Sequence, residues 1–221
     1  VAARLIVLGR QGAGKGTQCA RLASRLGIGH LSTGDLFRAE IAAGTVLGHQ
    51  LDRYVTAGEL VPDEVVLDVV AANLGSAELR AQGYLLDGFP RTLAQGQALF
   101  EVLGAAAADL ALEIDVPVEV VSHRLAARRS CAACRSVVSA RPGQRRCDTC
   151  GGPLERRADD HAEVIDRRLA LYDEQSTPLL LWLDSQGILV TVDGVGHPDD
   201  VHDRIFEAVA HRVPAVRDLV T

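Results

Sequence analysis

The sequence predicts an α/β fold: a parallel sheet covered by helices on both faces, interrupted by a helical insertion and by a small Cys-rich module. Three observations predict it. Short apolar runs of strand length alternate with stretches of helical period. A glycine-rich loop joins the first such run to the first helix. Residues 130–157 hold four of the five cysteines and show no helical period. At 221 residues the chain is long enough for one core with insertions. Its 48% apolar and 24% charged content excludes a disordered chain.

Residues 4–8 read as a buried strand ending at Gly9, and residues 14–26 carry apolar positions at Cys19, Leu22, Ala23 and Leu26 before Gly27 stops the helix. HLSTGDLF (30–37) reads as a short strand entering a capped helix. Helical pieces follow to about residue 57, then the turn signal AGELVPDE and a helix over 62–74. Further strands are expected at 84–90, 110–117 and 188–194, with helical segments between them. The core therefore comprises 1–32, 62–129 and 158–221, with insertions at 33–61 and 130–157. The first apolar run lacks a cleavage site, and none reaches the roughly 18 residues of a membrane span, so a cytoplasmic protein is expected.

The loop reads GRQGAGKGTQ (9–18). Gly9, Gly12, Gly14 and Gly16 remove side chains that would block a nest of inward-facing N–H groups, and the following helix N-terminus adds positive potential. It reads as a phosphate-binding loop, with an ordinary glycine turn between strand and helix as the alternative, so a sheet of P-loop type is expected. Its spelling departs from G-x-x-x-x-G-K-[ST], because Gly16 intervenes before Thr17. Lys15 is the single lysine among 23 basic residues. A compact ammonium fits a tightly wrapped loop that excludes the broad guanidinium fork.

DGFPR (87–91) puts Asp87 at the carboxyl end of a strand, where parallel sheets bind ligands; it can hold Mg²⁺ or its waters, or cap a turn. Cys131, Cys134, Cys147 and Cys150 form two C-x₂-C knuckles suited to structural Zn²⁺, with a pair of disulfides as the rival; Cys19 is expected to be a buried helix thiol. The formal charge is −6, yet residues 124–157 carry nine arginines against Asp148 and Glu155. Arg38, Arg91, Arg124, Arg128, Arg157 and Arg168 are either solvated surface charges or, together, counter-charge for a polyphosphate.

With these motifs in order, along with STGDLFR, LLDGFPRT and RRADDHAEVIDRRLALY, nearly the whole chain resembles the adenylate kinases of the nucleoside monophosphate kinase family, in the long form with a zinc-binding lid. The resemblance implies reversible Mg²⁺-dependent phosphoryl transfer from ATP to AMP, giving two ADP, by a monomer that needs no nucleic acid or membrane. It assigns ATP binding to Gly12, Ala13, Gly14, Lys15, Gly16, Thr17, Arg124 and Arg128. It assigns AMP binding to Thr33, Arg38, Leu60, Val61, Gly88, Arg91, Gln95, Arg157 and Arg168, with 33–61 as the AMP-binding insertion. Lys15, Arg91, Arg128, Arg157 and Arg168 are implied at the migrating group, and Asp87 positions Mg²⁺ through water. Asp159 and Asp160 are implied to organise the lid at 130–157, whose four cysteines hold Zn²⁺. Asp160 alternatively fits a helix N-cap answered by Glu163. The Gln95 amide can both donate to and accept from adenine's edge, or it is a surface glutamine.

The chain departs from the family pattern at three places. Val138 and Ser139 stand where an aromatic and a histidine commonly flank the donor base, so a GTP donor is an alternative. Gln11 replaces a loop proline, and the spacing between the knuckles is short. A UMP or CMP kinase is the nearer alternative reading, and a zinc-ribbon nucleic-acid binder with a P-loop ATPase the remoter one.

Overall fold

The computed structural model describes residues 2–74, 81–104, 107–157 and 160–217. Asp159, implied as a lid organiser, lies outside the described residues.

The elements run β1 (Ala3–Leu8), α1 (Lys15–Leu26), β2 (Gly29–Ser32), α2 (Thr33–Ala43), α3 (Val46–Ala57), α4 (Asp63–Leu74), β3 (Gly83–Asp87), α5 (Leu93–Leu103), β4 (Leu110–Asp115) and α6 (Val118–Ala127). Three short strands follow, β5 (Arg128–Cys131), β6 (Val137–Ser139) and β7 (Leu154–Glu155). The long α7 (Ala162–Ser185), β8 (Leu189–Asp193), α8 (Pro198–Arg212) and α9 (Pro214–Arg217) complete the described chain.

The main sheet has five parallel strands in the order β2-β3-β1-β4-β8. The side-chain period of two explains why the central strands β1, β3 and β4 are largely apolar, since each fills a core on both faces, whereas the edge strands β2 and β8 stay half-exposed. Leu5 and Val7 of β1, Leu85 of β3 and Leu110, Leu112 and Ile114 of β4 face the core built with Leu22, Val121, Leu125, Ile205 and Val209 of α1, α6 and α8. Ile6 and Leu8, Tyr84 and Leu86, and Ala111 face the opposite core, filled by Val66 and Val70 of α4, Leu99 of α5 and Leu179 and Leu183 of α7. Phe37 of α2 and Leu51 of α3 extend that second core into the helical insertion.

Residues 128–155 hold a separate antiparallel sheet, ordered β6-β5-β7. The sequence showed no period there, because strands of two to four residues are too short to display one. The alternative reading of Asp160 as a helix N-cap is corrected: α7 begins at Ala162 with His161 as its N-cap, and the Asp160 carboxylate is used elsewhere.

Candidate active site

β1, β3 and β4 end together at the carboxyl edge of the sheet, and the loop after β1 turns there into α1. Gly12 and Gly14 adopt φ of 86° and 101°, backbone that a side chain would strain. Gly14 is the left-handed N-cap of α1, so the helix's first N–H groups open onto a cleft of about 890 Å³. Lys15 Nζ donates to the carbonyls of Gly9 at 2.5 Å and Arg10 at 3.0 Å, which folds the side chain back over its own loop. Burial pulls its ammonium down to about 8; Asp87 resists that, while Arg91 and Arg168 add to it.

Asp87, at the end of β3, is 6% exposed. Its Oδ2 lies 3.4 Å from His30 Nε2 of β2, and 3.7 Å from where a Cβ on Gly16 would stand. Thr33, the first residue of α2, donates its hydroxyl to the carbonyl of Gly88 at 3.1 Å, which ties the insertion to this strand end. Below it, Cys19 is buried as expected, and that burial pushes its thiol well above the ordinary range.

All six arginines singled out from the sequence line the cleft, joined by Arg135. Arg124 donates to the carbonyls of Ala13 (3.2 Å) and Gly194 (3.1 Å), bracing the loop against the end of β8. Arg91 Nε donates to the Gly88 carbonyl (2.7 Å), and Arg157 Nε to the Ser130 hydroxyl (2.7 Å). Arg38 pairs with Asp35 at 2.6 Å. Arg128 grips Asp160 with two nitrogens, one contact being 2.8 Å, and Gln11 Nε2 adds a third bond to that carboxylate at 3.3 Å.

Gly12 to Thr17, Gly88 and Leu60 also line the cleft, with Val138 and Ser139 at its lid side. Thr33, Val61, Gln95 and Asp160 are buried next to it rather than on its wall. Gln95 is therefore no surface glutamine. Its Oε1 accepts from the Arg91 N–H at 2.8 Å, and its Nε2 donates to Asp63 at 2.6 Å. Sequence reasoning missed Asp63, His30 and Gly194, whose partners lie far along the chain.

The four lid cysteines bring their sulfurs within 4.8 Å of one another. Cys131 and Cys150 are 3.4 Å apart and Cys134 and Cys147 3.8 Å apart, too long for disulfide bonds and close to the roughly 3.8 Å edge of a tetrahedron with Zn–S bonds of about 2.3 Å. A hydrogen bond from the Ser136 hydroxyl, followed by backbone N–H groups, lowers Cys147 to about 6, which favours the thiolate that metals bind. Gly152, unnoticed in the sequence, lets the chain pass close: a Cβ there would lie 3.0 Å from Cys131 Sγ and 3.3 Å from Cys150 Sγ.

Fold and loop together define a P-loop nucleotide-binding protein. Residues 7–188 match the family model described as adenylate kinase. The chain is 44% identical over 208 residues to the adenylate kinase of Thermodesulfovibrio yellowstonii, a match that covers 91% of this chain and 96% of that protein. It is 41% identical over 210 residues to that of Lachnospira eligens (92% and 98% covered) and 42% identical over 212 residues to that of Caldicellulosiruptor saccharolyticus (93% and 98%). The chain belongs to the adenylate kinase family. Adenylate kinases use Mg²⁺ with ATP, and the four cysteines here can hold a zinc ion. Among the described residues, no helix is long and apolar enough to cross a membrane.

Proposed function

We propose that the chain passes a phosphoryl group reversibly from ATP to AMP, giving two ADP, in the cleft between the glycine loop and the lid. The observation that carries this is the placement of Lys15: its ammonium lies on the loop, with Asp87 beside it, in a cleft lined, among the described residues, by seven arginines. Phosphoryl transfer asks little covalent work of a protein. It needs in-line positioning and a field of positive charge where negative charge spreads.

On the donor side, the N–H groups of residues 12–17 cradle the phosphates and Lys15 leaves its two carbonyls for them. Thr17 lies near the metal and phosphates, and Arg124 keeps the loop in shape. Asp87 would hold the magnesium ion that accompanies the triphosphate, and that ion would offset phosphate charge. On the acceptor side, Thr33, Gly88, Leu60 and Val61 shape the AMP pocket, and Arg38 and Arg91 take its phosphate. Gln95 reads the adenine edge by exchanging its bond to Asp63 for one to the base. Arg128, Arg157 and Arg168 stabilise the migrating group, and Asp160 keeps Arg128 extended toward it.

The lid at 130–157 and the insertion at 33–61 close over the core, and closure excludes the water that would hydrolyse the donor. Cys131, Cys134, Cys147 and Cys150 would hold a zinc ion, which would give a lid with few apolar contacts the rigidity to move as one body. A coupled assay that crosses AMP, UMP and CMP with ATP and GTP tests the reading. AMP with ATP is expected to be fastest by at least about tenfold, and a preference for UMP or CMP overturns the acceptor assignment.

A further inference from the structure

We propose that Cys19, His30 and Asp87 form a second metal site, separate from the lid cysteines, that takes a thiophilic divalent cation such as Zn²⁺ or Cd²⁺ and thereby arrests the cleft. Each residue comes from a different element, α1, β2 and β3, and the parallel register brings the last two together: Ser32 pairs with Asp87 and His30 with Leu85. The sulfur, a ring nitrogen and a carboxylate oxygen all lie within 4.8 Å of one another.

The geometry is already close to that of a loaded site. His30 Nε2 and Asp87 Oδ2 are 3.4 Å apart. Two nitrogen or oxygen ligands on bonds of about 2.1 Å at a tetrahedral angle stand roughly 3.4 Å apart, so this pair needs no movement. A sulfur on a bond of about 2.3 Å stands roughly 3.6 Å from either, so Cys19 closes by little more than about 1 Å. Three protein ligands leave a fourth position. His30 and Asp87 line the nucleotide cleft, so that position opens toward the place where phosphates bind.

The donor set selects the metal. Thiolate and imidazole favour zinc and its softer relatives, whereas Mg²⁺ takes oxygen ligands and keeps its waters. Binding replaces the Cys19 proton, which leaves to solvent, and the imidazole and carboxylate give electron pairs without further loss. The site thus passes from one net negative charge to none. Lys15, whose field reaches Cys19, opposes a second cation, and the thiolate and carboxylate offset it. A metal so held engages the Asp87 carboxylate and removes the counter-charge beside Lys15. The arrest therefore rests on the function proposed above; the binding does not.

Calorimetric titration of the zinc-loaded protein with Zn²⁺ alone, and with Cd²⁺ alone, tests the site. The wild type is expected to take up one further equivalent. Cys19→Ala and His30→Ala are each expected to weaken it by more than the roughly 10–100-fold that loss of a supporting residue costs a metal site. Cd²⁺ is also expected to raise an ultraviolet thiolate charge-transfer band that Cys19→Ala lacks. In the coupled assay Cys19→Ala is expected to keep wild-type turnover without added zinc and to need at least about tenfold more Zn²⁺ for half-inhibition. Cys19→Ser preserves side-chain volume and serves if the alanine variants fold poorly. Absence of a further equivalent in the wild type, or its retention in Cys19→Ala and Cys19→Ser, overturns the site. Zinc uptake with turnover unaffected overturns the arrest, and uptake by a protein with no phosphotransfer at all overturns the function while leaving the site.

Discussion

Asp160, with no exposed surface, is gripped by Nε and Nη2 of Arg128 across 32 positions of sequence. The pair joins the start of the lid to the segment that leads back into the core. Breaking a buried ion pair from one side leaves the other charge unmatched, at a cost of about 3–5 kcal/mol. Asp160→Ala is therefore expected to lower the thermal midpoint by several degrees and to reduce turnover, because Arg128 loses its orientation. Arg128→Ala, Asp160→Ala and the double variant form a cycle; if the double variant is no more stable than the sum of the two losses, the coupling is absent.

Lys15→Ala is expected to reduce turnover roughly a thousandfold or more, while circular dichroism stays near wild type and the thermal midpoint does not fall. In the absence of nucleotide, the described hydrogen bonds of this ammonium reach only two loop carbonyls, which water can satisfy in its place. A variant with most of its phosphotransfer intact removes Lys15 from the role.

Much of this was legible in the chain because the central strands β1, β3 and β4 are largely apolar on both faces and the loop spells its own geometry in glycine. The cleft arginines were legible only as a set, and the fold had to decide which were surface charges. Non-local pairings were not legible. Gln95 spends its amide on Asp63, 32 residues earlier, and Gln11 reaches Asp160, 149 residues later. The lid strands were hidden for another reason: Val137–Ser139 and Leu154–Glu155 are three and two residues long, too short to show a period, and the cysteines beside them take the place of a core.

Gly152 is expected to decide how well the lid holds zinc. A methyl group there would stand 2.7 Å from Ala133 Cβ and 3.0 Å from Cys131 Sγ, so the backbone between the second knuckle and β7 would have to move. Wild-type protein is expected to carry about one zinc per chain in the lid and to lose thermal stability on chelation. Gly152→Ala is expected to give up its lid zinc to a chelator at least about tenfold more readily, read by release into a metal indicator. Equal release from both proteins separates Gly152 from the metal site.

The depressed ammonium at Lys15 makes a pH prediction whose sign follows from burial. Desolvation lowers it from its ordinary 10.5 to about 8. In the nucleotide-free protein the charge is thus present at neutral pH and is lost as pH rises through about 8. Phosphates placed on the ammonium favour the charged form and raise that value in the complex. Since kcat/KM follows the free protein and kcat the complex, kcat/KM is expected to fall about tenfold per pH unit above about 8, whereas kcat holds to higher pH. Stability moves the other way. The unfolded chain binds this proton more tightly, so the folding penalty is full below about 8 and relaxes as pH rises toward 10.5. Lys15→Met removes the titrating group while keeping the stem, so any alkaline gain in stability that belongs to Lys15 is expected to vanish in it. An unchanged gain in that variant, or parallel pH profiles for kcat and kcat/KM in the wild type, assigns the titration to another group.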